Sequence, residues 1–202
     1  MNLHHAVLSF ALLCAVSSVS STAEAARGLE ARDLVTLDRY SAPTLSPNGR
    51  MLVFAKRSVD FAANKSATSL WIENLSARDA APPKRLTPEG WNVNSPAFSP
   101  DGSTVYFLSA KSGSQQLYAL PAAGGTPKLL TELPVDVGGY KLSPDGKRVA
   151  LTLEAFADCK SDLACTKKRL DDTAARKSSG VLHDRIFVRH WDTWADGRLN
   201  RV

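Results

Sequence analysis

The sequence predicts an all-β fold: a partial β-propeller of about three blades, each a four-stranded antiparallel sheet, behind an N-terminal signal peptide. Three observations predict it. The tetrapeptide Ser-Pro-Asn/Asp-Gly occurs three times, starting at Ser46, Ser99 and Ser143, at separations of 53 and 44 residues. A second repeat runs in phase with it: Pro83-Lys84-Arg85-Leu86-Thr87 recurs as Pro127-Lys128-Leu129-Leu130-Thr131, 44 residues on. The chain opens on a short apolar run followed by an Ala-x-Ala site. A period near 44 residues with four short strands per unit is that of one propeller blade.

The first element is the signal. Residues 6–16 (AVLSFALLCAV) form an apolar run too short to span a bilayer as a helix, and Ala23-Glu24-Ala25 supplies a cleavage site. Residues 1–5 hold no Lys or Arg, so the positive charge there comes from the α-amino group and partly protonated His4 and His5. A buried or frayed N-terminal helix is the competing reading. With 1–25 as signal, 26–202 is the propeller part and the expected location is periplasmic or secreted. Cleavage removes Cys14 and leaves Cys159 and Cys165. An even pair in an exported protein points to a disulfide. A metal pair competes, but no His lies at ligand spacing nearby. Neither a metal nor a cofactor is expected.

The blades follow. In each turn the proline presets φ (Pro47, Pro100, Pro144), the next residue bonds its own backbone (Asn48, Asp101, Asp145), and glycine takes the positive φ that closes the turn (Gly49, Gly102, Gly146). Each turn sits between a short apolar segment and a β-branched or aromatic run: Met51-Leu52-Val53-Phe54, Thr104-Val105-Tyr106-Phe107 and Arg148-Val149-Ala150-Leu151. That reads as a hairpin. A further strand lies at Ser69-Leu70-Trp71-Ile72 and again at Gln116-Leu117-Tyr118-Ala119-Leu120. The blades are therefore placed at 34–88, 89–133 and 134–202. The longer first spacing is read as a longer loop over 58–68. In the third unit a charged, cysteine-bearing insertion spans 156–180. Strand character resumes at Arg185-Ile186-Phe187-Val188, and 199–202 reads as the start of a fourth strand.

Propellers close with roughly four to eight blades, and closure protects the sheet edges. Three blades leave apolar sheet faces open. The expectation is an N-terminal part of a longer protein; a small β domain that closes by oligomerising is the competing reading.

The Ser-Pro-Asp-Gly blades resemble TolB-like propeller repeats. Residues 112–120 (SGSQQLYAL), followed by Gly124-Gly125 and Leu130-Thr131, resemble propellers of the prolyl oligopeptidase family. So do the cysteine-bearing insertion and residues 184–194 (DRIFVRHWDTW). Together they are similar to its exported dipeptidyl aminopeptidase and acylaminoacyl-peptidase branch. The resemblance implies a two-domain serine peptidase whose propeller admits short peptides to a C-terminal α/β-hydrolase domain. That domain carries its nucleophile on a Gly-x-Ser-x-Gly elbow. No serine here has glycine at both i−2 and i+2, so no catalytic residue is assigned to this chain. A TolB-like periplasmic interaction module without enzymatic activity is the alternative.

The remaining candidates are weighed against simpler roles. The formal charge of +5 comes from scattered basic residues, so no nucleic-acid partner is expected; nor is a membrane partner after signal cleavage. His190 and Asp192 share a face if they lie in one strand, but no activated serine joins them or His183. Arg189 and Asp192 are expected to pair or bind strand ends, and Trp191 and Trp194 to pack between blades. Arg189, His190 and Trp194 are kept as candidates for a substrate path. Asn64-Lys65-Ser66 and Asn74-Leu75-Ser76 match glycosylation sequons of low specificity, and Gly124-Gly125 is a turn. The mixed charges of 156–180 suit a solvated loop or surface helix.

Overall fold

The computed structural model describes residues 27–76, 81–178, 180, 182–183 and 189–202. The signal segment and the strand expected at 185–188 lie outside the described residues.

A short helix, α1 (Ala31–Thr36), leads into the first sheet. Its strands are β1 (Arg39–Leu45), β2 (Met51–Asp60), β3 (Lys65–Asn74) and β4 (Lys84–Arg85), hydrogen-bonded in that order and antiparallel throughout. The second sheet repeats the plan with β5 (Val93–Phe98), β6 (Thr104–Ser109), β7 (Gln116–Pro121) and β8 (Lys128–Leu129). The third begins with β9 (Val137–Leu142) and β10 (Val149–Phe156). A two-stranded hairpin, β11 (Arg189–His190) and β12 (Thr193–Trp194), follows, and then β13 (Arg198–Arg201) pairs with β10. The third sheet has the order β13-β10-β9.

Side-chain alternation explains why the sheets stack. In β6, Val105 and Phe107 point one way and join Val53, Ala55, Leu70 and Ile72 of the first sheet in one core. Leu108 points the other way and joins Leu117 and Val137 in a second core, with Tyr106, Tyr140, Leu151 and Leu153 packed against it. The middle blade is thus covered on both faces, as its third strand shows: every residue from Gln116 to Leu120 is buried. A strand buried on both sides loses the polar alternation of a half-exposed one. In-phase sheets, stacked face to face with their first strands adjacent, form a partial propeller.

The second repeat also has a structural reason. The Leu86 and Leu130 N–H groups donate to the carbonyls of Leu70 and Leu117, at 2.7 and 2.8 Å. The hydroxyls of Thr87 and Thr131 accept from the N–H groups of those same leucines, each at 2.9 Å. Leucine and threonine recur because this pair anchors the outer edge of each blade.

Two expectations are corrected. The first unit gains its length from a longer hairpin, not from a loop over 58–68. β2 and β3 stay paired out to Asp60 and Lys65, leaving only a tight turn between them. The last segment does not start a fourth strand. β13 pairs directly with β10 and takes the third position of its sheet, so the charged insertion and the small hairpin together form the excursion between second and third strands.

Candidate functional site

The three turns have one geometry. The glycine N–H donates to the serine carbonyl, at 2.8 Å for Gly49, 2.9 Å for Gly102 and 2.9 Å for Gly146. The glycines sit at φ values of 69°, 74° and 68°. The side chains of Asn48, Asp101 and Asp145 each accept from the backbone N–H two residues on. The serine hydroxyl donates to that same Asn or Asp side chain and accepts from the N–H that opens the next strand. The motif is therefore a self-contained cage of hydrogen bonds, and every residue in it has a defined task.

The turns also stack on one another. A Cβ added at Gly102 would lie 3.3 Å from Cδ of Pro47, and one at Gly146 would lie 3.2 Å from Cδ of Pro100. The proline of one blade thus rests on the glycine of the next. Positive φ and this close approach both select glycine there.

The Asp101 carboxyl is held down to about 2, first by the Ser99 hydroxyl, then by the Ser103 N–H and hydroxyl. Asp145 is lowered in the same way, chiefly by Ser143. A carboxyl whose folded value is depressed contributes stability above its unfolded value, near 4, and loses it as pH falls through the folded value. Stability carried by Asp101 is therefore lost between about pH 4 and about pH 2. Thermal melts across that interval should show a shallower acid loss for Asp101→Asn than for the parent chain; identical profiles would contradict this assignment.

The first strand of each blade is bent. Register slips between Ser41 and Thr44 in β1, between Asn94 and Ala97 in β5, and opposite Thr152 and Leu153 in β9. Ala42 and Ser95 take φ values of 50° and 52° at these bulges, each just before a proline. Proline is tolerated there because a bulge leaves its nitrogen outside the ladder. Two bonds tie the bent strands together. The Thr44 hydroxyl donates to the Pro96 carbonyl at 3.1 Å, and the Tyr140 hydroxyl to the Ser95 carbonyl at 2.7 Å. Burial pushes the Tyr140 phenol well above its ordinary value, so it stays a donor.

Between these strands lies a groove of about 530 Å³. Its walls are Thr44 and Leu45 from β1, Ser95 to Phe98 from β5, Tyr140 to Leu142 from β9, and the turn prolines Pro47, Pro100 and Pro144. It is mostly apolar, with hydroxyl and carbonyl groups at the bulges. A proline three residues ahead of the first two turn serines, Pro43 and Pro96, marks those two bulges in the sequence; Tyr140 holds the equivalent position ahead of Ser143.

The candidates from the third unit lie elsewhere. Cys159 and Cys165 form a disulfide, with Cα atoms 5.7 Å apart. It closes a turn at Ala157–Cys159 onto a surface helix, α2 (Leu163–Ala174). Asp162 caps that helix by accepting from the Cys165 N–H at 3.0 Å. The buried Thr166 hydroxyl accepts from the Phe156 N–H at the end of β10. Arg169 pairs with Asp158 at 2.6 Å and lies over the Phe156 ring. The insertion is thus a clamped helical knob.

Arg189, His190 and Trp194 occupy the β11–β12 hairpin and do not line the groove. The Arg189 guanidinium lies 5.3 Å from the centre of the Trp194 ring, and His183 stacks on the same ring at 5.8 Å. Two expectations fail here. His190 and Asp192 do not share one strand, because Trp191 and Asp192 form the turn between β11 and β12. Trp191, at φ 55°, reverses the chain there. Trp191 and Trp194 do not pack between blades either; they are 85% and 58% exposed.

Comparison with known proteins agrees with this geometry. Residues 69–158 match the family described as the dipeptidyl peptidase IV (DPP IV) N-terminal region. Dipeptidyl-peptidase 5 of Porphyromonas endodontalis is 29% identical over 163 residues, covering 81% of this chain and 22% of that protein. Over these residues the chain is similar in sequence to the N-terminal region of dipeptidyl peptidases. An uncharacterised peptidase of Bacillus subtilis, YuxL, is 28% identical over 130 residues, covering 62% of this chain and 19% of that protein. In fold, the acylaminoacyl peptidase of Pyrococcus horikoshii superimposes with a TM-score of 0.57 at 14% identity, over 83% of this chain and 23% of that one. The chain spans about a fifth of the length of the curated relatives it matches. The resemblance to the prolyl oligopeptidase family stands for the propeller part.

Proposed function

We propose that this chain is the N-terminal propeller of an exported serine peptidase, where it gates the access of short peptides to a C-terminal α/β-hydrolase domain. The observation that carries this reading is the similarity to dipeptidyl-peptidase 5 over 81% of the chain. The groove supports it: three bent strands present backbone carbonyls, hydroxyls and proline rings to an extended ligand. The disulfide supports export, since such bonds persist in oxidising compartments. The hydrolase partner and the peptide substrates belong to this proposal.

The reading of the chain as non-catalytic has its own expected outcome. Purified protein of residues 26–202 should not hydrolyse aminoacyl or acyl-peptide chromogenic substrates. Turnover abolished by a serine-directed inhibitor would overturn it. The peptidase reading itself is tested in the coding sequence beyond residue 202. A continuing frame with a Gly-x-Ser-x-Gly elbow in a strand–turn–helix setting is the expected result. Further blades and then a stop would replace the peptidase by a TolB-like interaction module.

A further inference from the structure

The three turns differ at one chemically telling position. Blades two and three carry Asp-Gly at Asp101-Gly102 and Asp145-Gly146, whereas blade one carries Asn48-Gly49. We propose that Asn48 is a self-modifying site, converted to aspartate when the first turn opens and held as asparagine while the turn is closed. An asparagine followed by glycine is prone to this chemistry because glycine offers no side chain to hinder its nitrogen. The Gly49 nitrogen loses its proton and bonds to Cγ of Asn48, the Cγ–Nδ2 bond breaks, and ammonia leaves. Water then opens the cyclic imide on one side to give aspartate, or on the other to give isoaspartate.

The closed turn opposes the first step. The Gly49 N–H is committed to the Ser46 carbonyl at 2.8 Å. The Asn48 Oδ1 is held by the Ser46 hydroxyl at 2.8 Å and by the Arg50 N–H at 3.0 Å. Attack on Cγ breaks the bond that closes the turn, so the reaction runs through the opened form, and its rate follows the population of that form. Among the described residues Gly102 and Gly146 each lie beneath a proline of the preceding blade, while none comes within 4 Å of a Cβ placed on Gly49.

The aspartate product fits. Asp101 and Asp145 show that a carboxylate in this cage keeps the same serine hydroxyl and backbone N–H partners. Isoaspartate inserts an extra backbone carbon and cannot keep them. The reaction thus brings blade one to the composition of its neighbours, or breaks its turn.

The test is to incubate the folded chain and a urea-unfolded sample at mildly alkaline pH and follow the peptide containing residue 48 by mass spectrometry. Loss of the amide is expected to be roughly tenfold slower or more in the folded chain, and to speed up in sub-denaturing urea and in the core variant Leu70→Ala. Equal rates in folded and unfolded chains, or an amide that persists in both, would overturn the proposal. Asn48→Asp made directly should melt at or above the parent; a clear drop would refute the claim that aspartate fits the cage.

Discussion

Phe107→Ala is expected to lower the unfolding free energy by about 3–5 kcal/mol, the range found when a large aromatic ring is removed from a packed core. Phe107 is wholly buried at the seam between the first two blades. Its ring stacks on Tyr118, 5.7 Å away and nearly parallel, and meets Trp91 at a tilt. The walls of the resulting cavity belong to two different sheets, each fixed by its own ladder, and sheets of this kind collapse poorly into a void. Urea unfolding read by tryptophan fluorescence measures the effect, since Trp91 sits against the lost ring. A change below about 1 kcal/mol would mean that the two blades are not packed through this face.

Gln116→Leu is expected to cost about 3 kcal/mol or more, although it replaces a polar residue by an apolar one of similar size in a buried site. Gln116 is almost fully buried and begins the third strand of the middle blade. Its amide nitrogen donates to the carbonyls of Leu133 and Val135 at 3.0 and 3.2 Å, and to the Ser114 hydroxyl at 2.9 Å. Its amide oxygen accepts from the Thr131 hydroxyl at 2.8 Å and the Leu133 N–H at 3.0 Å. One side chain thus satisfies the backbone of the link between second and third blades. Leucine strands those groups, and each buried polar group left unpaired costs about 1–3 kcal/mol. Neighbouring Gln115 repeats the theme at the surface, bonding Val137 through both its side chain and its backbone. Thermal melts of Gln116→Leu should show a drop of several degrees or more. A variant as stable as the parent would show that the link between blades is held by other contacts.

Much of this architecture was legible because its signals repeat. The Ser-Pro-Asx-Gly cage uses each residue for a stated bond, so three copies in phase mark three hairpins. The Leu-Thr anchors at 86–87 and 130–131 made the outer strands readable from the same spacing. The disulfide followed from cysteine parity once residues 1–25 were read as a signal. Other features resisted for physical reasons. Strand length is set by pairing between neighbours, and Arg57, Ser58 and Asp60, polar and exposed, leave Val59 alone as an apolar signal to extend β2. The bulges depend on how the first strands bend toward one another, which Pro43 and Pro96 permit without dictating. Trp191 and Trp194 suggested a buried seam by residue type, yet a turn at Trp191 sends them outward. The third strand of the last sheet was hidden because α2 and a hairpin intervene between partners distant in sequence.

The account rests on blades stacked so that the proline of each turn lies on the glycine of the next. Nuclear Overhauser contacts in the isotope-labelled chain test this directly. Contacts from the δ protons of Pro47 to the α protons of Gly102, and from those of Pro100 to Gly146, are predicted. Their absence, with the contacts inside each turn still present, would contradict the stacked-blade arrangement while leaving three isolated hairpins.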